Sequence, residues 1–251
     1  MAKLKFGKWL GSGLGWAFGG PIGAVLGFAV GSMFDASDIK DVAQQGNGNT
    51  THRSSHQGGA AEFNISLLVL SAAVMKSDGR TLKSELDFVK SFFAKQFGEQ
   101  QAQEQILILR EILKQEIPLH DVCLQIKQFM PHAQRLQIIH YLFGISKADG
   151  HVHELELQTI HTIANYLGVR AADFESLKAM YFKDTNSDYK ILELEPSASD
   201  EEVKKAYRKM AVKFHPDKVA SLGEEIQKAA NEKFKQVQQA YDNIKRQRGL
   251  V

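Results

Sequence analysis

Ser199-Asp200-Glu201-Glu202-Val203-Lys204-Lys205-Ala206-Tyr207-Arg208-Lys209-Met210-Ala211-Val212-Lys213-Phe214-His215-Pro216-Asp217 is the stretch on which the reading of this chain turns. Ser199 and Glu202 form a capping box, the hydroxyl accepting from the amide near Glu202 and the carboxylate reaching back. Val203, Ala206, Tyr207, Met210, Ala211 and Phe214 then recur at three and four, one apolar face of a helix. The opposite face carries Lys204, Lys205, Arg208, Lys209 and Lys213 with no acid among them. A second stripe follows in Ile226, Ala230, Phe234, Val237, Tyr241 and Ile244. Two antiparallel helices burying these stripes make a small domain. Its core is small, so loss of Phe214 or Phe234 is expected to cost several kcal/mol, roughly the Phe→Ala range. His215-Pro216-Asp217 between the two helices is a candidate docking site for another protein: Pro216 stiffens the loop, Asp217 offers a carboxylate to a partner cation, and His215 a polar ring to orient it.

The basic face has three readings. It is a solvated surface favoured near a helix C-terminus, a docking face for an acidic partner, or a nucleic-acid surface. The last is weakened because acids elsewhere in the module nearly cancel the charge and no aromatic is interleaved. The whole chain carries 31 basic and 29 acidic residues, which argues neither way. The single Cys123 excludes an internal disulfide and a multi-cysteine zinc site.

Upstream, from about Glu62 to Lys183, apolar residues again recur at three and four. Phe63, Leu67, Leu70 and Val74 form one stripe, and Leu86, Val89, Phe93 and Phe97 another. Ile106, Leu109, Ile112 and Leu113 follow, then Leu136, Ile139, His140 and Phe143, then Ile160, Ile163, Ala164 and Leu167. No strand-like alternation persists, so the fold class is all-α, with a bundle of six or seven helices here. The bundle holds a repeat: Asp78-Gly79 precedes Glu85 as Asp149-Gly150 precedes Glu156. Such corners arise where glycine takes a left-handed conformation and aspartate closes the turn. A repeated helix corner is preferred over a ligand or metal pocket of these four acids. His140, on an apolar stripe, is read as a satisfied core histidine rather than a zinc ligand with His151, His153 and His161.

At the other end, Trp9 to Phe34 contains no charged side chain. A helix of that length reaches about 39 Å, more than a ~30 Å hydrocarbon core. Gly7, Gly11, Gly15, Gly19, Gly23, Gly27 and Gly31 recur every fourth residue, a spacing that lets another backbone approach closely and would join two copies in a membrane. The row wanders through about 240°, so it cannot face one partner along a straight helix. Pro21 after Gly19-Gly20 allows two layouts: one kinked span, or a hairpin of two short helices. Lys3, Lys5 and Lys8 before the segment and Asp35, Asp38 and Asp41 after it would place a single span with its N-terminus inside, whereas a hairpin keeps both ends together. A secretory signal is disfavoured for want of a small-x-small cleavage site. From Gln44 to Ala60 no apolar residue exceeds alanine in size, the composition of a flexible linker, in which His52 and His56 are solvated. The expected division is a membrane anchor over 1–35, a linker over 36–61, a helical domain over 62–183 and a terminal module over 186–251.

Residues 188–249 resemble a J-domain, the module that stimulates ATP hydrolysis by DnaK-type chaperones. The likeness rests on Tyr189, Leu192, Ala198, Lys204 to Lys209, His215 to Lys218, Phe234, Ala240 and Tyr241. It implies that His215, Pro216 and Asp217 are a trigger and that Lys204, Tyr207, Arg208 and Lys209, with Lys218 beside them, are a docking face. Glu193 stands where that family usually has glycine, and the family's usual fourth helix, Gly/Phe-rich stretch and repeated Cys-x-x-Cys are missing. The middle region, through its two Asp-Gly corners, resembles a TerB-like helical domain. Together these parts are similar to membrane-anchored bacterial co-chaperones. A J-domain must meet its chaperone and ATP, which implies a bacterial inner membrane with both globular domains facing the cytoplasm. The resemblance implies a regulator of a partner's ATPase rather than an enzyme, with a DnaK-type partner, no cofactor, no metal and no nucleic acid. The alternative is a membrane scaffold or stress sensor acting through a ligand or partner of the middle domain. A hydrolase built from the middle histidines and acids lacks a nucleophile–base signature.

Overall fold

The computed structural model describes residues 7–36, 55–150 and 153–249, and among these it is helical throughout, with no strand. The middle of the chain is a bundle of seven helices: α2 (Ser55–Met75), α3 (Lys83–Phe97), α4 (Glu99–Leu113), α5 (Leu119–Phe129), α6 (His132–Ser146), α7 (Glu154–Tyr166) and α8 (Ala171–Tyr181). Helix α2 starts at Ser55, so the stretch Ser55–Ala60 expected in the linker is helical. Residues 44–54, His52 among them, lie outside the described residues, as does His151.

Two helices form the centre. In α2, Phe63, Leu67, Leu68, Val69, Leu70, Val74 and Met75 are buried on every side; in α6 the same holds from Leu136 to Ile145. A helix apolar all round belongs in a core, and the single stripes expected for these two understate them. The outer helices keep one apolar stripe each, such as Val89 and Phe93 in α3 and Ile106, Leu109 and Ile112 in α4. Helices α3 and α4 are separated by Gly98 alone, whose φ of 86° suits glycine and folds one helix back on the other.

The N-terminal segment is helical over α1 (Gly7–Ala36) but breaks at Gly20, where φ is 61° and ψ −153°, just before Pro21. The two arms fold together as a hairpin: a Cβ placed on Gly15 would collide with the Gly23 carbonyl, and one on Gly23 with the Gly15 carbonyl. Gly15 and Gly23 of the glycine row therefore pack within one chain, and Gly19 leads into the bend. The hairpin lies against α4, α5 and α2 and buries Val25 and Ala29. Gln125 of α5 covers the broken helix, its amide donating to the Gly19 carbonyl (2.8 Å) and its oxygen accepting from the Ile22 amide (3.0 Å). These are the backbone groups that the kink deprives of helical partners. The arms, 7–19 and 21–36, measure about 20 and 24 Å at helical rise. Among the described residues no helix is long and apolar enough to cross a membrane.

The terminal module comprises α9 (Ser187–Ile191), α10 (Asp200–Lys213), a 3-10 segment (Pro216–Leu222) and α11 (Glu224–Gln247). It does not hang free. The 3-10 segment rests on α2 and α6, and α11 on α3 and α6, so module and bundle share one continuous core.

Candidate partner-docking site

The local signals read from residues 199–217 fold as chemistry dictates. Ser199 Oγ accepts from the Glu202 amide at 3.3 Å, and Glu202 Oε2 accepts from the Ser199 amide at 2.7 Å. Val203, Ala206, Met210 and Phe214 pack on Ile226, Ala230, Val237, Ala240 and Ile244, while Tyr207 stacks on Tyr241 with ring centroids 4.3 Å apart. Phe234 is only half-buried and meets the edge of His215 at 6.1 Å, so it carries less of the core than its place in the stripe implies. Arg248 staples the far end of the module. It lies over the Tyr189 ring, donates to the Tyr189 hydroxyl at 3.1 Å and pairs with Asp200 at 2.8 Å.

At the C-terminal end of α10 the chain turns outward. His215 Nδ1 accepts from the Asp217 amide at 3.3 Å, so the ring caps the 3-10 segment that Pro216 begins. The Asp217 side chain is 87% exposed, and Lys218 is exposed beside it. Lys204, Lys205 and Arg208 project from α10 into solvent, and the half-buried Tyr207 braces the helix beneath them. The His215–Asp217 turn and the cations on the first turns of α10 are thus both open to solvent.

The two lysines nearest the trigger are engaged. Lys209 donates to Glu193 at 2.7 Å. Lys213, only 11% exposed, is not part of an open face; it contacts both Glu193 Oε1 and Asp173 Oδ1. Asp173 belongs to α8 of the bundle and is fully buried. Arg170 grips it with one hydrogen bond to each oxygen (2.9 and 3.0 Å), and His132 Nε2 lies 3.0 Å from Oδ2. Burial alone would raise the Asp173 carboxyl, but the hydrogen bonds from Arg170 and Lys213 outweigh it and hold it well below the usual carboxylate range. Glu193 has a φ of 58°, which explains why glycine is usual there, since a side chain in this region costs about 1 kcal/mol.

A second contact ties α11 to the bundle. Lys233 is 1% exposed, donates to Gln137 Oε1 at 2.6 Å and lies over the Phe214 ring. Its burial depresses its pKa well below the ordinary lysine value. Gln96 of α3 donates to the Leu222 carbonyl (2.8 Å) and accepts from the Glu225 amide (3.0 Å), capping α11 from outside the module. None of Lys213, Lys233, Gln96 and Asp173 was marked by the sequence as an interdomain contact.

The repeated corners are built alike. Gly79 and Gly150 have φ of 76° and 83°, and each amide closes a turn on the lysine three residues before it. Glu85 Oε2 accepts from the Leu82 amide at 2.8 Å, and Glu156 is held in the same way by the backbone of His153. The two glutamates, each 2% exposed, meet across the repeat. Burial first, and then the neighbouring Glu156, push the Glu85 carboxyl up to about 7. Among the described residues no group of three or more His, Cys, Asp or Glu is placed to hold a metal ion. His140 is buried, and burial first, then Lys233, lowers its pKa well below the ordinary histidine value; its Nε2 lies 3.2 Å from the Tyr181 hydroxyl, but its Nδ1 has no partner, so it is satisfied only in part.

Comparison with known proteins matches the chain in three parts. The family model for the co-chaperone DjlA transmembrane domain matches residues 1–53, that for tellurite resistance protein TerB residues 64–179, and that for the DnaJ domain residues 187–248. The co-chaperone protein DjlA of Photobacterium profundum is 28% identical over 98% of this chain and 99% of its own length. That of Coxiella burnetii is 26% identical over 98% of each. The chaperone protein DnaJ of Fusobacterium nucleatum is 49% identical over a stretch that makes up 21% of this chain and 14% of that protein. No solved structure matches.

Proposed function

We propose that this chain, which is DjlA-like through its whole length as a membrane-anchored J-domain co-chaperone with a TerB domain, docks on a DnaK-type chaperone and stimulates its ATPase through His215-Pro216-Asp217. The observation that carries this is the exposure of the Asp217 carboxylate and of the cations Lys204 and Arg208 on one helix-and-turn unit. Cations on a preformed helix speed encounter with an acidic partner and fix its register. Pro216 and the His215 cap hold the loop in one conformation, so little ordering entropy is lost when Asp217 meets a partner cation. Lys209 and Lys218 flank this surface. Hydrolysis takes place on the partner, and the chain contributes binding energy alone.

The anchor is read as holding both globular parts on the cytoplasmic face of the inner membrane, where ATP and the chaperone are. The hairpin supports this, because the chain leaves it on the side it entered. The test is single-turnover ATP hydrolysis by a DnaK-type chaperone with the purified full chain. Asp217→Asn keeps the shape and removes the charge, and it is expected to abolish stimulation with the circular dichroism melt unchanged. Equal stimulation by variant and parent refutes the reading.

A further inference from the structure

Glu193 and the TerB domain together decide how much positive charge α10 presents. Of the five cations on α10, Lys204, Lys205 and Arg208 are free in solvent. The remaining two, Lys209 and Lys213, are those nearest the His-Pro-Asp loop, and both are bound by Glu193. Glu193 is itself held from the bundle: Arg170 lies 3.8 Å from its Oε1, and Lys213 bridges it to the buried Asp173. The backbone at Glu193 adopts a left-handed conformation that glycine would occupy without strain. The chain therefore places a carboxylate where the fold prefers none, and that carboxylate faces the helix meant for an acidic partner.

We propose that Glu193, steadied by Arg170 of the TerB domain, is an internal competitor for the chaperone: it occupies Lys209, shares Lys213 with Asp173, and so weakens docking on α10. This rests on the reading of α10 as the docking face. An acidic partner must displace a carboxylate already in place before it uses Lys209, whereas Lys204 and Arg208 are available at once. Loosening α8 from α10 would part Lys213 from Asp173 and Glu193 from Arg170, while Lys209 stays paired with Glu193 of its own module.

The experiment is a titration of single-turnover ATP hydrolysis by a DnaK-type chaperone with the full chain in detergent, comparing parent, Glu193→Gly, Glu193→Gln and Asp217→Asn. Release of Lys209 is expected to lower the half-maximal concentration about two- to five-fold in both Glu193 variants, the span set by pair energies of this kind, while Lys213 stays on Asp173. The glutamine variant keeps the backbone conformation, so it separates charge from relief of strain. Amide exchange over residues 209–214 is expected to quicken in both without any partner present. An active parent, a silent Asp217→Asn and unchanged half-maximal concentrations in the two Glu193 variants overturn this inference alone. A silent parent overturns the docking reading and the inference with it.

Discussion

Glu85→Gln offers the most direct test of how the TerB domain is held together. The Glu85 carboxyl is 2% exposed and raised from an ordinary 4.5 to about 7. Because the folded pKa lies above the unfolded one, the folded chain binds the proton more tightly between those values. The contribution of this group is therefore fully present below pH 4.5 and is lost as pH rises through 7. The displacement corresponds to a change on the order of 3 kcal/mol across that window. Glutamine is neutral at every pH, and its amide oxygen can still accept from the Leu82 amide that Glu85 now binds at 2.8 Å. Urea unfolding of parent and variant from pH 5 to 8 yields the difference in stability at each pH. Groups remote from Glu85 cancel in that difference, including Asp173, whose depressed pKa acts in the opposite sense and at lower pH, whereas Glu156 titrates together with Glu85 and its part belongs to the pair. The variant is expected to gain on the parent steadily as pH rises, with the m-value unchanged. A difference that stays flat from pH 5 to 8 refutes the argument that burial and Glu156 raise the Glu85 carboxyl.

Two further outcomes follow from packing. Phe214, 4% exposed under Lys233, is expected to cost about 3–5 kcal/mol when replaced by alanine, whereas the half-buried Phe234→Ala should cost distinctly less; thermal unfolding separates the two. Gly15→Leu places a side chain in the Gly23 carbonyl, so the arms of α1 must part; amide exchange at residues 22–29 is expected to accelerate while that of α6 stays the same.

Sequence reasoning succeeded where the deciding interaction is local. The Ser199–Glu202 box, the two Asp-Gly corners and the helix stripes are set by residues within one or two turns of each other, and each is found where the residue types require it. It fell short where the partner is remote. Lys213 and Lys233 look like ordinary surface lysines because Asp173 and Gln137, which bury them, lie 40 and 96 residues away. Helices α2 and α6 looked one-sided because periodicity marks the strongest stripe and passes over the buried residues between. The start of α2 was missed because Gly58, Gly59 and Ala60 carry no apolar signal, although the helix that follows is stable enough to extend through them. At Glu193 the sequence shows only a departure from the family's usual glycine, and no local pattern says that the backbone is left-handed or that the carboxylate reaches back to α10.

Five residues, 182–186, join α8 to α9. With Gln96 and Asp173 also gripping the J-domain from the bundle, the module is seated at several points beside that short joint. Under the docking we propose, a chaperone on the His-Pro-Asp loop is gripped by a lever rather than a leash. Its angle of approach, and the distance it stands from whatever surface seats the bundle, are dimensions of the protein itself, like the throw of a crank.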